Sequence, residues 1–177
     1  EDALTGIANR RCFDEVSRKE WDRGLRDQQP LTLLLLDVDS FKKFNDFYGH
    51  GEGDNCLHNI GQALKASVMR TSDVVARYGG EEFVILLPNT KVGGGIKVAE
   101  RVSSFVDGLA IKHEYSDAAA HVTISIGITS MTADHEHSIT DMLKQADIAL
   151  YQAKANGRHQ YVVYSDITTS PTASALL

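Results

Sequence analysis

The sequence predicts an α/β sandwich, in which a mostly antiparallel central sheet of ferredoxin-like character is covered by helices. Apolar residues recur with helical spacing in some segments and with strand spacing in others, and turn residues separate these segments. After an N-terminal helix, the predicted order is β-α-α-β-β-α-β-α-β. With 177 residues, 42% of them hydrophobic, the chain is long enough for one substantial core and fits one domain better than two.

The first third of the chain contains three predicted helices and one strand. Residues 11–26 space apolar side chains in a helical manner among many charges. The continuous apolar run at 33–36 is typical of a strand buried on both faces, and this strand is expected at 31–37. Ser40 is a plausible N-cap for a short helix that ends near Tyr48. A longer amphipathic helix then extends to Val68, after a break that is expected at three glycines, Gly49, Gly51 and Gly53.

A β-hairpin is predicted next, because 74–78 and 83–87 are rich in β-branched and aromatic residues. The pair Gly79-Gly80 between them supplies the positive φ angles of a two-residue turn. The run Gly93-Gly94-Gly95 is expected to break the chain before a helix at 96–109.

The last third alternates strand and helix again. Residues 122–129 alternate apolar and polar side chains, which predicts a strand, with the hairpin as its expected partner. A helix at 139–156 has Gly157 in the position of a C-terminal cap. After a final strand at 161–164, the Ser/Thr/Ala-rich residues 165–177 are expected to be disordered, so the domain is assigned to residues 1–164.

Composition excludes several classes of function. The formal charge is −6, from 18 basic and 24 acidic residues, and no Lys/Arg stretch alternates with aromatics, so we expect no nucleic-acid partner. Cys12 and Cys56 lack metal-ligand spacing and are interpreted as free thiols in a reducing compartment. No signal-like N-terminus and no apolar run of about 20 residues is present, so we expect a cytoplasmic domain without membrane contact, any tether lying outside this chain.

Three carboxylates indicate the chemistry. Asp37 ends the predicted buried strand, and Glu81 and Glu82 follow the hairpin glycines. If the two strands are neighbours, these side chains converge and repel one another unless cations intervene. Clustered hard oxygen ligands suit Mg²⁺ bound together with substrate phosphates, so the sequence predicts a metal-assisted phosphoryl-transfer site.

Several ordered motifs, spread over residues 2 to about 164, together resemble one family. They are Asp2-Ala3-Leu4-Thr5-Gly6-Ile7-Ala8-Asn9-Arg10-Arg11, Asp37-Val38-Asp39-Ser40-Phe41-Lys42-Lys43-Phe44-Asn45-Asp46, Gly49-His50 with Gly53-Asp54, Gly79-Gly80-Glu81-Glu82-Phe83, Ser125-Ile126-Gly127, and Ala146-Asp147 through Tyr151-Gln152-Ala153-Lys154-Ala155-Asn156-Gly157-Arg158. The chain is similar to the catalytic GGDEF domain of bacterial diguanylate cyclases, in its GGEEF version, which has a nucleotidyl-cyclase-type fold.

The resemblance implies that two GTP are condensed into cyclic di-GMP, with release of pyrophosphate, across a transient homodimer. It assigns Mg²⁺, with Mn²⁺ as a substitute, to the side chains of Asp37 and Glu81 and the carbonyl of Val38, with Glu82 assisting. Glu81 is the family's favoured proton acceptor, although a metal-bound carboxylate is a poor base and orientation is the alternative role. Two metals roughly 3.5 to 4 Å apart polarise the α-phosphate and neutralise the leaving group in such sites.

The resemblance also assigns the substrate-binding residues. Asn45, His50 and Asp54 match positions around the guanine, where a carboxylate accepts from its N–H groups. Lack of a Cβ at Gly79 and Gly80 lets the nucleotide approach the backbone. Three basic side chains are assigned to the triphosphate, namely Lys42, Lys154 and Arg158. For Lys154 and Arg158 the alternative role is compensation of the helix dipole at the end of a helix.

A second, inhibitory site for the product is implied by Arg70 and Asp73, which resemble the family's RxxD motif, with Arg101 as a second arm. Taken alone, an Arg and an Asp three residues apart are usually an ordinary surface ion pair. The remaining histidines lack ligand spacing and are expected to be solvated: His58, His113, His121, His135, His137 and His159.

Two other functions are compatible with part of this pattern. A catalytically silent module of the same family would bind GTP or cyclic di-GMP as a sensor, but intact Lys42 and the intact carboxylates argue against it. A cyclase or polymerase palm acting on one nucleotide shares the two-metal logic but not the guanine-side residues. The domain is expected to follow an upstream regulatory domain in a longer protein.

Overall fold

Helices and strands follow one another in the predicted order. The computed structural model describes residues 1–168. Its helices are α1 (Arg10–Asp27), α2 (Phe41–Tyr48), α3 (His50–Ser67), α4 (Val92–Gly108), α5 (Ile139–Ala155) and α6 (Tyr164–Thr168). Its strands are β1 (Pro30–Val38), β2 (Val74–Gly79), β3 (Glu82–Leu87), β4 (Ile124–Thr132) and β5 (Tyr161–Val163).

The five strands form one sheet of order β2-β3-β1-β4-β5. β1 pairs antiparallel with both β3 and β4, and only β5 runs parallel to its neighbour. The predicted mostly antiparallel sheet is confirmed. The expected pairing of the 122–129 strand with the hairpin is wrong, because β1 lies between them. β1 is apolar on both faces, which suits the middle of a sheet covered on both sides.

Two hydrophobic cores, one on each face of the sheet, hold the helices in place. Leu31, Leu33 and Leu35 of β1 belong to the core formed with α1 and α5, whereas the alternate residues of β1 belong to the core formed with α2, α3 and α4. Leu33 has no exposed surface. Burying a leucine side chain stabilises the fold by about 1.5 to 3 kcal/mol, so β1 anchors both layers.

The predicted glycine break is confirmed at Gly49, which separates α2 from α3, but the other glycines of the two groups lie inside helices. Gly51 and Gly53 lie in the first turns of α3, and the Gly93-Gly94-Gly95 run lies in the first turn of α4. A Cβ on Gly53 would lie 1.8 Å from Asn45 Oδ1, and a Cβ on Gly95 would lie 2.5 Å from Thr32 Cγ2. At these two positions glycine allows close packing of a helix against its neighbour.

The start of α2 also differs from the expectation. Ser40 precedes the helix, but its backbone is left-handed, with φ of 54°, and its side chain makes no capping bond. Its hydroxyl instead contacts Asp117. The N-cap prediction is therefore right in position and wrong in mechanism.

The first residues of the C-terminal segment are ordered. Tyr164 starts α6 instead of ending β5, so the first four residues of the tail expected to be disordered are helical as far as residue 168. The prediction for 169–177 lies outside the described residues.

Among residues 1–168, none of the helices combines the length and the apolar character needed to cross a bilayer. The cytoplasmic location stays a prediction.

Candidate active site

The three predicted carboxylates lie together at one end of the central strands. Asp37 is the register partner of Glu82 across β1 and β3. The backbone N–H of Val38 donates to the carbonyl of Glu81 at 3.3 Å, which fixes the hairpin turn beside the end of β1. The convergence expected for neighbouring strands is therefore present.

The hairpin turn is shifted by one residue from the prediction. Gly79 is the last residue of β2 and pairs with Glu82, so the two turn residues are Gly80 and Glu81. Gly80 has φ of +54°, which is the positive angle that a glycine supplies at the first position of a hairpin turn. A register irregularity between Arg77 and Gly79 causes the shift. Glu81 therefore leaves the strand alternation that would point two adjacent glutamates to opposite faces.

The N-terminal loop holds this turn in place through Arg77. The Arg77 Nε donates to the carbonyl of Gly80 at 2.9 Å, its Nη1 lies 3.3 Å from Asp2, and its backbone N–H donates to the carbonyl of Ala8 at 2.9 Å. Burial disfavours the charge on Asp2, but hydrogen bonds from Thr5 and the charge of Arg77 outweigh it and lower the pKa of Asp2. The opening motif of the chain thus acts as a brace for the hairpin.

Electrostatics at the carboxylate cluster, which consists of Asp37, Glu81 and Glu82, favour a bound cation. Burial raises the pKa of Asp37 to about 6, against the opposing effect of Lys154, and the negative charges of Glu81 and Glu82 add to the rise. Burial also raises the pKa of Glu82, with the charge of Asp147 contributing. The donor set is carboxylate and carbonyl oxygen, the hard ligands that Mg²⁺ prefers, so these residues fit a divalent metal.

Lys154 is the nearest cation to the buried carboxylate. Its Nζ lies 2.9 Å from Asp37 Oδ1. Close packing of α5 on β4 brings it there, since a Cβ on Gly127 would lie 2.0 Å from the carbonyl oxygen of Ala146. In this structure Lys154, which the resemblance assigns to the triphosphate, neutralises part of the charge on Asp37.

Asp39 is a buried carboxylate to which the sequence motifs give no separate role. It is 1% exposed and accepts hydrogen bonds from Thr123 Oγ1 at 2.7 Å, from Ser125 Oγ at 2.6 Å and from the backbone N–H of His159 at 3.1 Å. These bonds join the end of β1 to the start of β4 and to the turn after α5, which contains Arg158. The Asp-x-Asp spacing at the strand end is the available signal, but the partners are remote in sequence.

The predicted guanine residues lie on the α2–α3 pair, which begins three residues after Val38. The Asn45 side chain lies against Gly53, and its Oδ1 is buried without a hydrogen-bond partner among the described residues. His50 and Asp54 are exposed at the start of α3. Lys42 is exposed on α2. Lys42, His50 and Asp54 are thus accessible to a ligand, and Asn45 keeps a hydrogen-bond acceptor without a partner among the described residues.

The predicted inhibitory residues make separate contacts. Arg70 donates to Thr90 Oγ1 at 2.9 Å, and Arg101 donates to the carbonyl of Ser67. Burial raises the pKa of Asp73 despite the attraction of both arginines, and its Oδ1 has no hydrogen-bond partner within residues 1–168. Asp73 also lines a pocket of about 360 Å³ beside the N-terminal loop. The ordinary Arg70–Asp73 surface ion pair is not formed in the described part of the chain.

The expectation of solvated histidines is wrong for His113. The other five are at least partly exposed, as expected, and they are His58, His121, His135, His137 and His159. Four of these five nevertheless have hydrogen-bond partners. His113 is fully buried, with its Nε2 3.0 Å from the carbonyl oxygen of Ser40 and its ring edge-on to Phe44. His121 and His159 both contact Asp107. His58 and His137 also have partners, namely the carbonyl of Leu4 and the carboxylate of Asp134. These contacts join segments that are distant in sequence or depend on loop geometry, which sequence spacing does not reveal.

Comparisons with known proteins place this site in a family context. Residues 1–160 match the family model "Diguanylate cyclase, GGDEF domain". The response regulator PleD of Caulobacter vibrioides is 40% identical over 161 residues, which are 91% of this chain and 35% of PleD. The chain therefore spans about a third of that relative's length.

Two solved structures share the fold. The GGDEF domain of DgcB from Caulobacter crescentus, in complex with c-di-GMP, superposes with a TM-score of 0.83 at 27% identity, over 93% of this chain and 95% of that one. The active GGEEF domain of a diguanylate cyclase from Vibrio cholerae superposes with a TM-score of 0.76 at 32% identity, over 89% of this chain and 97% of that one. On the family match and these likenesses, the chain belongs to the GGDEF domain family of diguanylate cyclases.

Proposed function

We propose that this chain is the catalytic domain of a diguanylate cyclase, which condenses two GTP into cyclic di-GMP and two pyrophosphate. The observation that carries the proposal is the meeting of Asp37, Glu81 and Glu82 at the end of β1 and the hairpin turn. The turn lies within the segment Gly79-Gly80-Glu81-Glu82-Phe83, which resembles the motif that gives the GGDEF family its name, and within the residues 1–160 that match the family model.

Asp37, the Val38 carbonyl, Glu81 and Glu82 would hold Mg²⁺, for which Mn²⁺ can substitute. Bound metal supplies Lewis-acid activation of the α-phosphate and of the attacking 3′-hydroxyl and neutralises the leaving pyrophosphate. Lys154, whose Nζ lies 2.9 Å from Asp37 Oδ1 in this structure, is a cation that can bind a phosphate oxygen of the substrate at the same place. Within this arrangement Glu81 orients the reacting groups at the turn or accepts the proton of the 3′-hydroxyl.

Side chains of the α2–α3 pair would select guanine over adenine. Asp54 accepts from guanine N1–H and N2–H, and the Asn45 amide pairs with the acceptor edge, a combination that rejects adenine. His50 lies at the start of the same helix as Asp54. A Cβ added to Gly79 or Gly80 would meet no atom of the described residues within 4 Å, which leaves room for a nucleotide against the backbone. Lys42 and Arg158 bind the triphosphate as a point charge and a fork donor.

The proposal includes product inhibition at Arg70, Asp73 and Arg101. The support is the Asp73 carboxylate oxygen, which has no hydrogen-bond partner among residues 1–168 and lies beside a pocket, within the electrostatic reach of both arginines. Guanidinium groups can contact the acceptor edge of guanine or a phosphate, and a carboxylate accepts from guanine N–H groups.

The proposed function includes control by an upstream regulatory domain in a longer protein. In support, the matched residues span 35% of the length of PleD, which is named a response regulator. GTP as the substrate is consistent with a cytoplasmic position of the domain. Catalysis takes place between two copies of the domain, because the product has two phosphodiester links related by two-fold symmetry.

The test is to incubate the protein with Mg²⁺ and either GTP or ATP, and to identify the products by mass. We expect cyclic di-GMP from GTP and little turnover of ATP, because an adenine leaves Asp54 and Asn45 unpaired, at a cost of about 1 to 3 kcal/mol for each. Binding of GTP without any product, in correctly folded protein, would support the silent sensor module instead. Equal conversion of both nucleotides would contradict the assigned guanine contacts.

A further inference from the structure

Three side chains outside the carboxylate cluster converge where three segments of the chain meet. Asp107 lies at the C-terminal end of α4, His121 precedes β4, and His159 lies in the turn after α5. The nearest ligand-type atoms of the three side chains all lie within 4.8 Å of one another. Because 14 and 38 residues separate them in sequence, only the tertiary fold brings them together.

Two ligand-to-ligand distances in this group fit a metal centre. Asp107 Oδ1 lies 3.1 Å from His121 Nε2 and 3.0 Å from His159 Nε2. Ligands of a tetrahedral Zn²⁺ with bonds of about 2.0 to 2.2 Å are separated by about 3.3 Å, so these two ligand-to-ligand distances already fit. The two imidazole rings are perpendicular, with centroids 5.8 Å apart, and their Nε2 atoms face the same carboxylate.

The backbone fixes both histidines before any ion binds. His121 belongs to a β-bridge with Lys112, and its neighbour Val122 donates to the carbonyl of Ile111 at 2.8 Å. The N–H of His159 donates to the buried Asp39, as described above. These bonds fix the backbone at both histidines, so less conformational freedom is lost when their side chains bind a ligand.

The site is also accessible and suitably charged. The side chains of Asp107, His121 and His159 are 34 to 36% exposed, and a pocket of about 490 Å³ is lined by Asp107 and His159. The carboxyl end of α4 carries the negative end of the helix dipole, which favours a cation at Asp107.

We propose that Asp107, His121 and His159 form a binding site for a transition-metal ion such as Zn²⁺, with a fourth position open to water from the adjoining pocket. Two imidazoles and one carboxylate suit Zn²⁺ and related ions, whereas Mg²⁺ prefers oxygen ligands alone. The bound ion ties the end of α4 to the turn that contains Arg158. This site is distinct from the carboxylate cluster at the hairpin and goes beyond the proposed cyclase activity.

The test is a calorimetric titration of tag-free protein with Zn²⁺, in the presence of excess Mg²⁺ and without nucleotide. We expect one Zn²⁺ per chain in the parent and at least about a 100-fold loss of affinity in His121→Gln and in His159→Gln, since even outer contacts of a metal ligand cost 10- to 100-fold. Circular dichroism checks the fold of each variant, and both imidazoles are exposed enough for glutamine to be accommodated.

Two controls separate this site from others. Asp37→Asn should bind Zn²⁺ as the parent does, which shows that the ion is not at the proposed catalytic cluster. The pair His135→Gln and His137→Gln removes surface histidines of the loop before α5 and should also leave the affinity unchanged.

A thermal melt gives an independent readout, because an ion that binds only the folded protein raises the melting temperature in a concentration-dependent way. We expect Zn²⁺ to stabilise the parent and Asp37→Asn but neither His121→Gln nor His159→Gln. Equal Zn²⁺ affinity in the parent and in both of these variants, or no binding to the parent, would overturn the proposal. Because no nucleotide is present, neither result depends on the cyclase activity.

Discussion

The surroundings of Asp37 oppose the ionisation of its carboxyl group at neutral pH. Burial, followed by the negative charges of Glu81 and Glu82, raises its pKa to about 6, although Lys154 opposes the rise. The folded protein therefore holds the proton more tightly than the unfolded chain does. The stability that protonation contributes is fully present below about pH 3.8 and is lost as pH rises through about 6.

Because folding raises the pKa of Asp37, the pH dependence of stability should change in Asp37→Asn, which has no carboxylate to ionise at this position. Without Mg²⁺, the parent should lose roughly 3 kcal/mol of unfolding free energy relative to the variant between about pH 3 and pH 7, since one pKa unit corresponds to about 1.4 kcal/mol. Urea unfolding of both proteins across this range measures the difference. The exposed Asp46→Asn serves as the matched control and should track the parent. A parent that gains stability over Asp37→Asn as pH rises would contradict the assignment.

Individual residues show what sequence can and cannot predict about the site. Asp37 and Glu81 are recognisable because carboxylates end a buried strand and follow a glycine pair. The roles of Asp39 and His159 are not recognisable, because the bond between them joins positions 120 residues apart. Chemistry carried by local motifs is thus predictable, whereas pairing between remote segments requires the fold.

At the scale of elements, the contact between α5 and β4 positions Lys154 beside Asp37. Gly127→Ala should destabilise the fold by about 1 to 3 kcal/mol or more, because its Cβ would lie 2.0 and 2.4 Å from backbone atoms of α5 that cannot rotate away. Thermal or urea unfolding measures the loss.

Gly93→Ala is the control for this prediction, since a Cβ there would meet no atom of the described residues within 4 Å. It lies in the first turn of α4 and should be neutral or stabilising by up to about 1 kcal/mol. Equal effects of the two substitutions would show that the close approach of α5 to β4 is unimportant for stability.

Periodicity predicts the elements well, and glycine is the main source of error. The helix expected at 139–156 and the strand at 31–37 match α5 and β1 within one residue or so, because their apolar patterns are long and regular. The Gly93-Gly94-Gly95 run suggests a break, yet it opens α4. Glycine signals both a turn and a close approach, and the sequence alone does not distinguish these two uses.

At the scale of the whole molecule, the proposed reaction requires two domains that face each other. Each domain binds one GTP, and two-fold symmetry aligns each 3′-hydroxyl with the partner's α-phosphate. When dimers are scarce, doubling the protein concentration should raise the rate about fourfold by mass action. Initial rates over a dilution series measure this order. A strictly linear dependence down to concentrations at which sedimentation shows only monomers would contradict catalysis between two copies.

Feedback by the product is the second prediction at this scale. Arg70→Ala should relieve inhibition by added cyclic di-GMP while retaining GTP turnover, because it removes one charged arm near Asp73. A product titration on the parent and the variant measures the relief. Lys65→Ala provides the control, since Lys65 lines the same pocket as Asp73 and lies outside the RxxD segment. Equal inhibition of the parent and Arg70→Ala would refute the assigned product site.

The most direct measurement is the rate of cyclic di-GMP formation by Glu81→Ala, compared with the parent and with Glu136→Ala, which changes an exposed glutamate remote in sequence from the hairpin. Metal-held charge stabilisation is worth several kcal/mol, so Glu81→Ala should lose activity by at least about 100-fold with its fold intact. Glu136→Ala should match the parent. Unchanged turnover by correctly folded Glu81→Ala would contradict the claim that the carboxylates at this hairpin turn carry out the reaction.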